Sequence, residues 1–186
     1  MTVVLTPIDA VAGLAEAIEA RHAAGLDRYD EWWEGVYRIV TGPSPEHGRL
    51  AAWLARTLWS PSAAVGLHLA APLNIGTDKA ECRVPDIGVH RPDTERTSPA
   101  FLVTAVLVVE LLSPTEVAGA KLDFYQSHGV EEVLEIDVAT GRARLLARPD
   151  STTEPADTWA EVGASHVIPG LVIVDGTVEV NGERYP

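Results

Sequence analysis

Residues 101–114 read Phe-Leu-Val-Thr-Ala-Val-Leu-Val-Val-Glu-Leu-Leu-Ser-Pro. A strand with one solvated face alternates apolar and polar residues, whereas the stretch Phe101 to Val109 is almost unbroken apolar. It therefore predicts a strand covered on both faces at the centre of a sheet. The run ends on Glu110, and a carboxylate taken out of water at such a place needs a compensating charge or hydrogen bonds.

Upstream, residues 82–89 read as a second strand. Alternation puts Val84, Asp86 and Gly88 on one face and Pro85, Ile87 and Val89 on the other. Pro85 cannot donate to a ladder, so the strand is kinked, bulged or at an edge there, and that distortion aims Asp86 into a cleft. Downstream, Ser113-Pro114-Thr115-Glu116 has a capping-box pattern and predicts a helix ending near His128-Gly129. Residues 133–137 and 142–147 predict a hairpin turned by Ala139-Thr140-Gly141. Residues 149–157 read as a loop, and short strands follow over 167–180.

In the first third, Thr6-Pro7-Ile8-Asp9 has the pattern of a helix start. Ile8, Val11, Leu14, Ala15 and Ile18 recur at helical spacing, which carries that helix to about Ala24 with Gly25 as its stop. Residues 32–40 read as a strand. Ser44-Pro45 opens a second helix with Leu50, Ala51, Trp53, Leu54 and Leu58 on its apolar face and Pro61 beyond its end, and Val65, Leu67 and Leu69 alternate as in a half-buried strand. The order predicts an α/β or α+β domain, a sheet flanked by helices. Residues 1–30 form an N-terminal helical extension of a single compact unit whose main domain is 31–186.

At 186 residues and 46% hydrophobic content, the chain can bury one core. Its longest apolar run is too short to span a bilayer, and Asp9 and Glu16 fall where a signal peptide is apolar, so a soluble cytoplasmic protein without a membrane partner is expected. The one cysteine, Cys82, excludes an internal disulfide and a cysteine-based zinc site. A net charge of −13 opposes broad electrostatic attraction to nucleic acid, although a bound metal neutralises carboxylates and a local patch outweighs the sum. Arg49, Arg56, Arg83 and Arg91 either line a groove or belong to an ordinary solvated surface.

Asp86 and Glu110 together suit a divalent cation, since Mg²⁺ takes one or two carboxylates plus waters and phosphate oxygens. Such a site supports metal-assisted hydrolysis of a phosphodiester, with Lys121 adding positive charge at the transition state. Alone, each residue has a plainer explanation: Asp86 as a turn residue, Glu110 as the first solvent-facing residue after a core strand, and Lys121 as a surface lysine. Only their combination points to chemistry. The chain has no G-x-S-x-G, G-x-x-x-x-G-K-[ST], H-E-x-x-H or G-x-G-x-x-G motif. Its five tryptophans either stack bases or fill the core.

The segments VPDIGVHRP, VVELLSP and KLDFYQSHGVEEVLEID, in that order and spacing, resemble the Uma family of endonucleases, a branch of the PD-(D/E)XK nuclease superfamily. WWEGVYRIVTGPSPEHGRL and VIPGL extend the likeness from Trp32 to Val172. The resemblance implies a restriction-endonuclease-like central mixed sheet flanked by helices, with Asp86 and Glu110 as metal ligands and all of Asp86, Glu110 and Lys121 as catalytic residues. The superfamily lysine two residues after the glutamate is Leu112 here, and Lys121 matches the place to which the Uma pattern moves it. Val36 stands where the family often has an acid, so a metal ligand from that position is missing unless Glu34 or Glu46 substitutes. His47 matches a family histidine near the site, or is packed against its helix end, and Tyr125 lies one turn after Lys121. The implied activity is Mg²⁺-dependent, with Mn²⁺ as an alternative, on DNA, in a protein that acts as a homodimer. The competing reading is a catalytically inactive nuclease-fold module that binds a partner or dimerises.

Overall fold

A computed structural model describes residues 3–7, 13–40, 42–77, 81–114, 116–148 and 159–185. The chain begins with β1 (Val3–Pro7), α1 (Leu14–Ala23), β2 (Glu31–Trp33), β3 (Val36–Val40) and α2 (Pro45–Ala64). It continues through β4 (His68–Ala70), β5 (Ile75–Thr77), β6 (Glu81–Arg83), β7 (Ile87–His90), β8 (Arg96–Ser98), β9 (Phe101–Leu102) and β10 (Leu107–Leu112). After α3 (Leu122–Ser127) come β11 (Glu132–Asp137), β12 (Ala143–Ala147), β13 (Ala160–Val162), β14 (Leu171–Val174), β15 (Thr177–Val180) and β16 (Glu183–Arg184).

The strands form three sheets, ordered β1-β3-β2-β6-β5-β9-β8, β13-β12-β11-β10-β7-β4 and β14-β15-β16. In the second, β10 pairs antiparallel with β7 and parallel with β11, which sets Glu110 beside Glu135. A parallel neighbour needs a crossover, and α3 lies on that connection. Strand β10 is covered on both faces, as its continuous apolar run demands. Leu107, Val109 and Leu111 pack with Leu50, Leu54 and Leu58 of α2 and with Leu171 and Val178 of the third sheet. Val108 packs with Phe124, Tyr125 and Val133 on the opposite face. Glu110, in step with Val108, therefore emerges on the α3 side. Leu54 and Leu58 are fully buried, and cutting either to alanine would cost about 2–5 kcal/mol.

Several elements differ from the sequence expectations. Thr6 and Pro7 lie in β1, paired with β3, and α1 starts only after Gly13, so no helix begins at Thr6; residues 8–12 lie outside the described residues. The single strand expected over 32–40 is a hairpin, because Glu34 (φ 50°) and Gly35 (φ 78°) make a two-residue turn between Trp33 and Val36. Pro61 sits inside α2 rather than beyond it, in the last turn, where it lacks the N–H that would bond the Thr57 carbonyl. The strand expected over 82–89 is interrupted at Val84, Pro85 and Asp86, the distortion that Pro85 predicted. The apolar run is likewise split: β9 belongs to the first sheet and β10 to the second. The hairpin at 139–141 is present, with Asp137 Oδ1 accepting from the amides of Ala139 and Thr140. The loop expected at 149–157 lies outside the described residues.

Candidate active site

Asp86 stands where the chain leaves β6 of the first sheet and enters β7 of the second, so it sits at the seam between them. Its Oδ2 accepts the backbone N–H of Leu111 at 2.9 Å, and its Oδ1 lies 2.7 Å from His47 Nε2. His47 is in the first turn of α2, where Ser44 Oγ caps its amide at 3.2 Å. Burial works against a charged imidazole, but the hydrogen bond and charge of Asp86 outweigh it and raise the His47 pKa.

Glu110 projects from β10 toward Lys121, which ends the connection into α3. Lys121 Nζ donates to Glu110 Oε1 and Oε2 at 3.0 and 2.9 Å and to Glu31 Oε1 at 2.9 Å. The Tyr125 hydroxyl, one turn further along, also donates to Glu110 Oε1. Glu31 comes from β2 of the other sheet and accepts from the Val84 amide (2.8 Å) and Trp33 Nε1 (2.7 Å). Lys121 thus ties the two sheets together through a carboxylate from each.

Burial pushes Glu110 up to about 8; Lys121 pulls against it, and the charges of Asp86 and Glu31 add to the rise. Burial opposes the Lys121 ammonium, yet Glu110 and Glu31 prevail and hold it charged beyond the ordinary lysine range. Tyr125 is raised well above its usual value by burial and then by Glu110 and Glu31, so it serves as a neutral donor.

Glu31, Asp86, Glu110 and Lys121 line one cavity of about 390 Å³. Its walls carry the carboxylates of Glu31, Asp86, Glu110, Glu116 and Glu135 against two cations, Arg38 and Lys121. Arg144 neutralises Glu135, with Nε 2.7 Å from Oε2. Glu116 turns back onto the amide and hydroxyl of Ser113. Among the described residues, no group of three or more His, Cys, Asp and Glu side chains is arranged to hold a metal ion. The pair Asp86 and Glu110 nonetheless suits a hard cation that keeps several waters. Asp86 Oδ2 accepts from the Leu111 amide and Glu110 Oε2 from Lys121 Nζ, which leaves each a second lone pair, and the surrounding negative charge is in excess.

The structure therefore brings Asp86, Glu110 and Lys121 to one cleft, with His47 on Asp86 and Tyr125 on Glu110. Glu46 is exposed on the first turn of α2, and Glu34 is exposed in the hairpin turn; neither lines this cavity. Glu31, which the sequence analysis did not single out, supplies the further carboxylate that was sought near Val36. The available signal was a glutamate in step with Trp33. The four arginines form no groove here: Arg56 pairs with Glu183, Arg91 with Glu131, Arg83 is buried against Glu81, and Arg49 is exposed on α2 outside the cavity. Of the tryptophans, Trp53 is in the core, Trp59 is exposed and Trp33 lines the cleft.

No helix of the described residues is long and apolar enough to cross a membrane. No curated protein matches this chain. A crystal structure of "a putative nuclease belonging to DUF820" from Anabaena variabilis is similar in fold, with a TM-score of 0.57 at 16% identity over 82% of this chain and 88% of that one. The Uma2 family, described as "Putative restriction endonuclease", matches residues 19–175, which reaches further toward the N-terminus than the motifs from Trp32 onward. With its motifs, its mixed α+β nuclease-like fold and a match over most of its length, the chain belongs to the Uma2 family.

Proposed function

We propose that this protein is a magnesium-dependent endonuclease that hydrolyses DNA phosphodiester bonds in the cleft of Asp86, Glu110 and Lys121. The observation that carries the reading is the convergence of these three side chains, from a strand, a loop at the seam between two sheets and the start of a helix, on one cavity. Asp86 and Glu110 would hold Mg²⁺, or Mn²⁺ in its place. When bound, such an ion lowers the pKa of a water and offsets charge on the phosphate.

The chain's own groups have distinct tasks. His47 and the Leu111 amide fix the Asp86 carboxylate, and Tyr125 fixes Glu110. Lys121, held charged by Glu110 and Glu31, presents a compact ammonium toward the charge that develops on the phosphate oxygens. The net charge of −13 favours a second reading, a catalytically inactive member of the fold that binds a protein partner.

Supercoiled plasmid incubated with Mg²⁺ separates the two. Nicking by the wild type and none by Glu110→Ala is expected; no nicking by the wild type with Mg²⁺ or Mn²⁺ contradicts the enzyme reading.

A further inference from the structure

A second cavity, of about 640 Å³, adjoins the acidic cleft and shares Trp33, Arg38 and Ala120 with it. Arg38 stands on the ridge between them. Its guanidinium carbon lies 3.2 Å from the centroid of the Trp33 ring, and Arg83 covers the same ring system at 4.0 Å. Arg83 also lies over Phe124 at 4.3 Å, and Phe124 stacks on His128 at 3.9 Å. The five side chains form a column with Arg38 at its end.

Its neighbours in the two cavities are spoken for. Lys121 is shared by Glu31 and Glu110, and Arg83 is paired with Glu81 at 2.7 Å and donates to backbone carbonyls. Arg38 differs: none of the described residues gives its guanidinium an ion pair or hydrogen bond, and its Nε is buried without a partner. Burial is the largest influence on its proton affinity and lowers it, and Arg83 adds to that against the pull of Glu31 and Glu34. A flat guanidinium, fixed by stacking and short of an anion, is suited to bidentate recognition of phosphate.

Resting on the nuclease reading above, we propose that Arg38 binds a non-scissile phosphodiester of the substrate strand on the ridge between the two cavities. Trp33 connects this subsite to the reaction centre, because its Nε1 donates to Glu31, which in turn holds Lys121. The second cavity also carries Glu34, Glu81 and Asp123, so it is no general anion sink. A single phosphate placed at Arg38 is accommodated; a broad electrostatic footprint is not.

The test is fluorescence anisotropy of a fluorescein-labelled single-stranded oligonucleotide in EDTA, across a salt series, on the full chain. Arg38→Ala is expected to weaken binding by about tenfold, the loss of one charge-assisted contact. It should also flatten the log–log salt dependence by about 0.7, one phosphate on a single strand. Arg38→Gln keeps a planar stem over Trp33, so if the alanine variant fails to fold, the glutamine variant gives the same reading. Arg184→Ala removes an equal charge outside the lining of either cavity and should leave binding as it is. Binding by Arg38→Gln equal to wild type with the same salt dependence, or no binding by the wild type, overturns the subsite. The plasmid assay fails independently: binding that needs Arg38 without nicking removes the hydrolysis reading alone, and nicking with binding indifferent to Arg38 removes the subsite alone.

Discussion

Asp86 Oδ2 accepts the amide of Leu111, the residue that follows Glu110 in β10, so the two carboxylates proposed as metal ligands are held in register by a single peptide link. This joint fixes their relative position without a metal. Asp86→Asn keeps an acceptor for that amide and loses the charge, whereas Asp86→Ala leaves a partly buried N–H unpaired at a cost of about 1–3 kcal/mol. Thermal unfolding should therefore place the asparagine variant above the alanine variant. Equal melting temperatures would mean the joint is energetically idle.

His47 holds the other oxygen of Asp86. Groups that orient a metal ligand typically change metal affinity or activity by about 10–100-fold when removed, and His47→Ala should fall in that range in Mn²⁺ affinity. The raised His47 pKa adds stability that is fully present below its ordinary value of 6.5 and is lost as pH rises through the folded-state value. The alanine variant should lack that loss, which denaturant unfolding on both sides of pH 6.5 would reveal.

Lys121 is the one ammonium between Glu31 and Glu110, so Lys121→Met strands the Glu31 charge and, at pH values above about 8 where Glu110 is ionised, the Glu110 charge as well. The expected loss is about 3–5 kcal/mol of unfolding free energy. Glu31→Gln in the same chain should restore part of it, since one of the stranded charges is gone. A double-mutant cycle on Glu31 and Lys121 measures this, and a coupling energy near zero would contradict the bridge between the sheets.

Unfolded, Glu110 ionises near 4.5; folded, it keeps its proton up to about 8. Its contribution to stability is therefore complete below pH 4.5 and disappears as pH rises toward 8. Glu110→Gln removes this dependence. In metal-free buffer, the stability of the variant relative to wild type should grow between those limits, and parallel pH profiles would refute the assignment.

The cleft of Asp86 and Glu110 was partly legible because burial leaves a signature in sequence: the continuous run into Glu110 marked a strand covered on both faces, and Pro85 marked the break beside Asp86. What periodicity does not encode is which sheet a strand joins. The run from Phe101 changes sheets at residues 103–106, and the stretch around Asp86 does the same. Glu31 was hidden for a related reason. The hairpin that carries it turns at Glu34, a non-glycine residue at positive φ, so 32–40 looked like one strand. The capping-box pattern at Ser113 and Glu116 is partly realised, with Glu116 reaching back to the Ser113 amide. Gly119 at φ 79° nonetheless falls in the left-handed region, and α3 does not begin until Leu122.

The account rests on a divalent cation held between Asp86 and Glu110, and calorimetric titration of the wild type and Asp86→Asn with Mn²⁺ tests it most directly. One binding event per chain in the wild type, abolished or strongly weakened in Asp86→Asn, is the predicted result. No binding heat in the wild type, or an isotherm unchanged by the substitution, would contradict it.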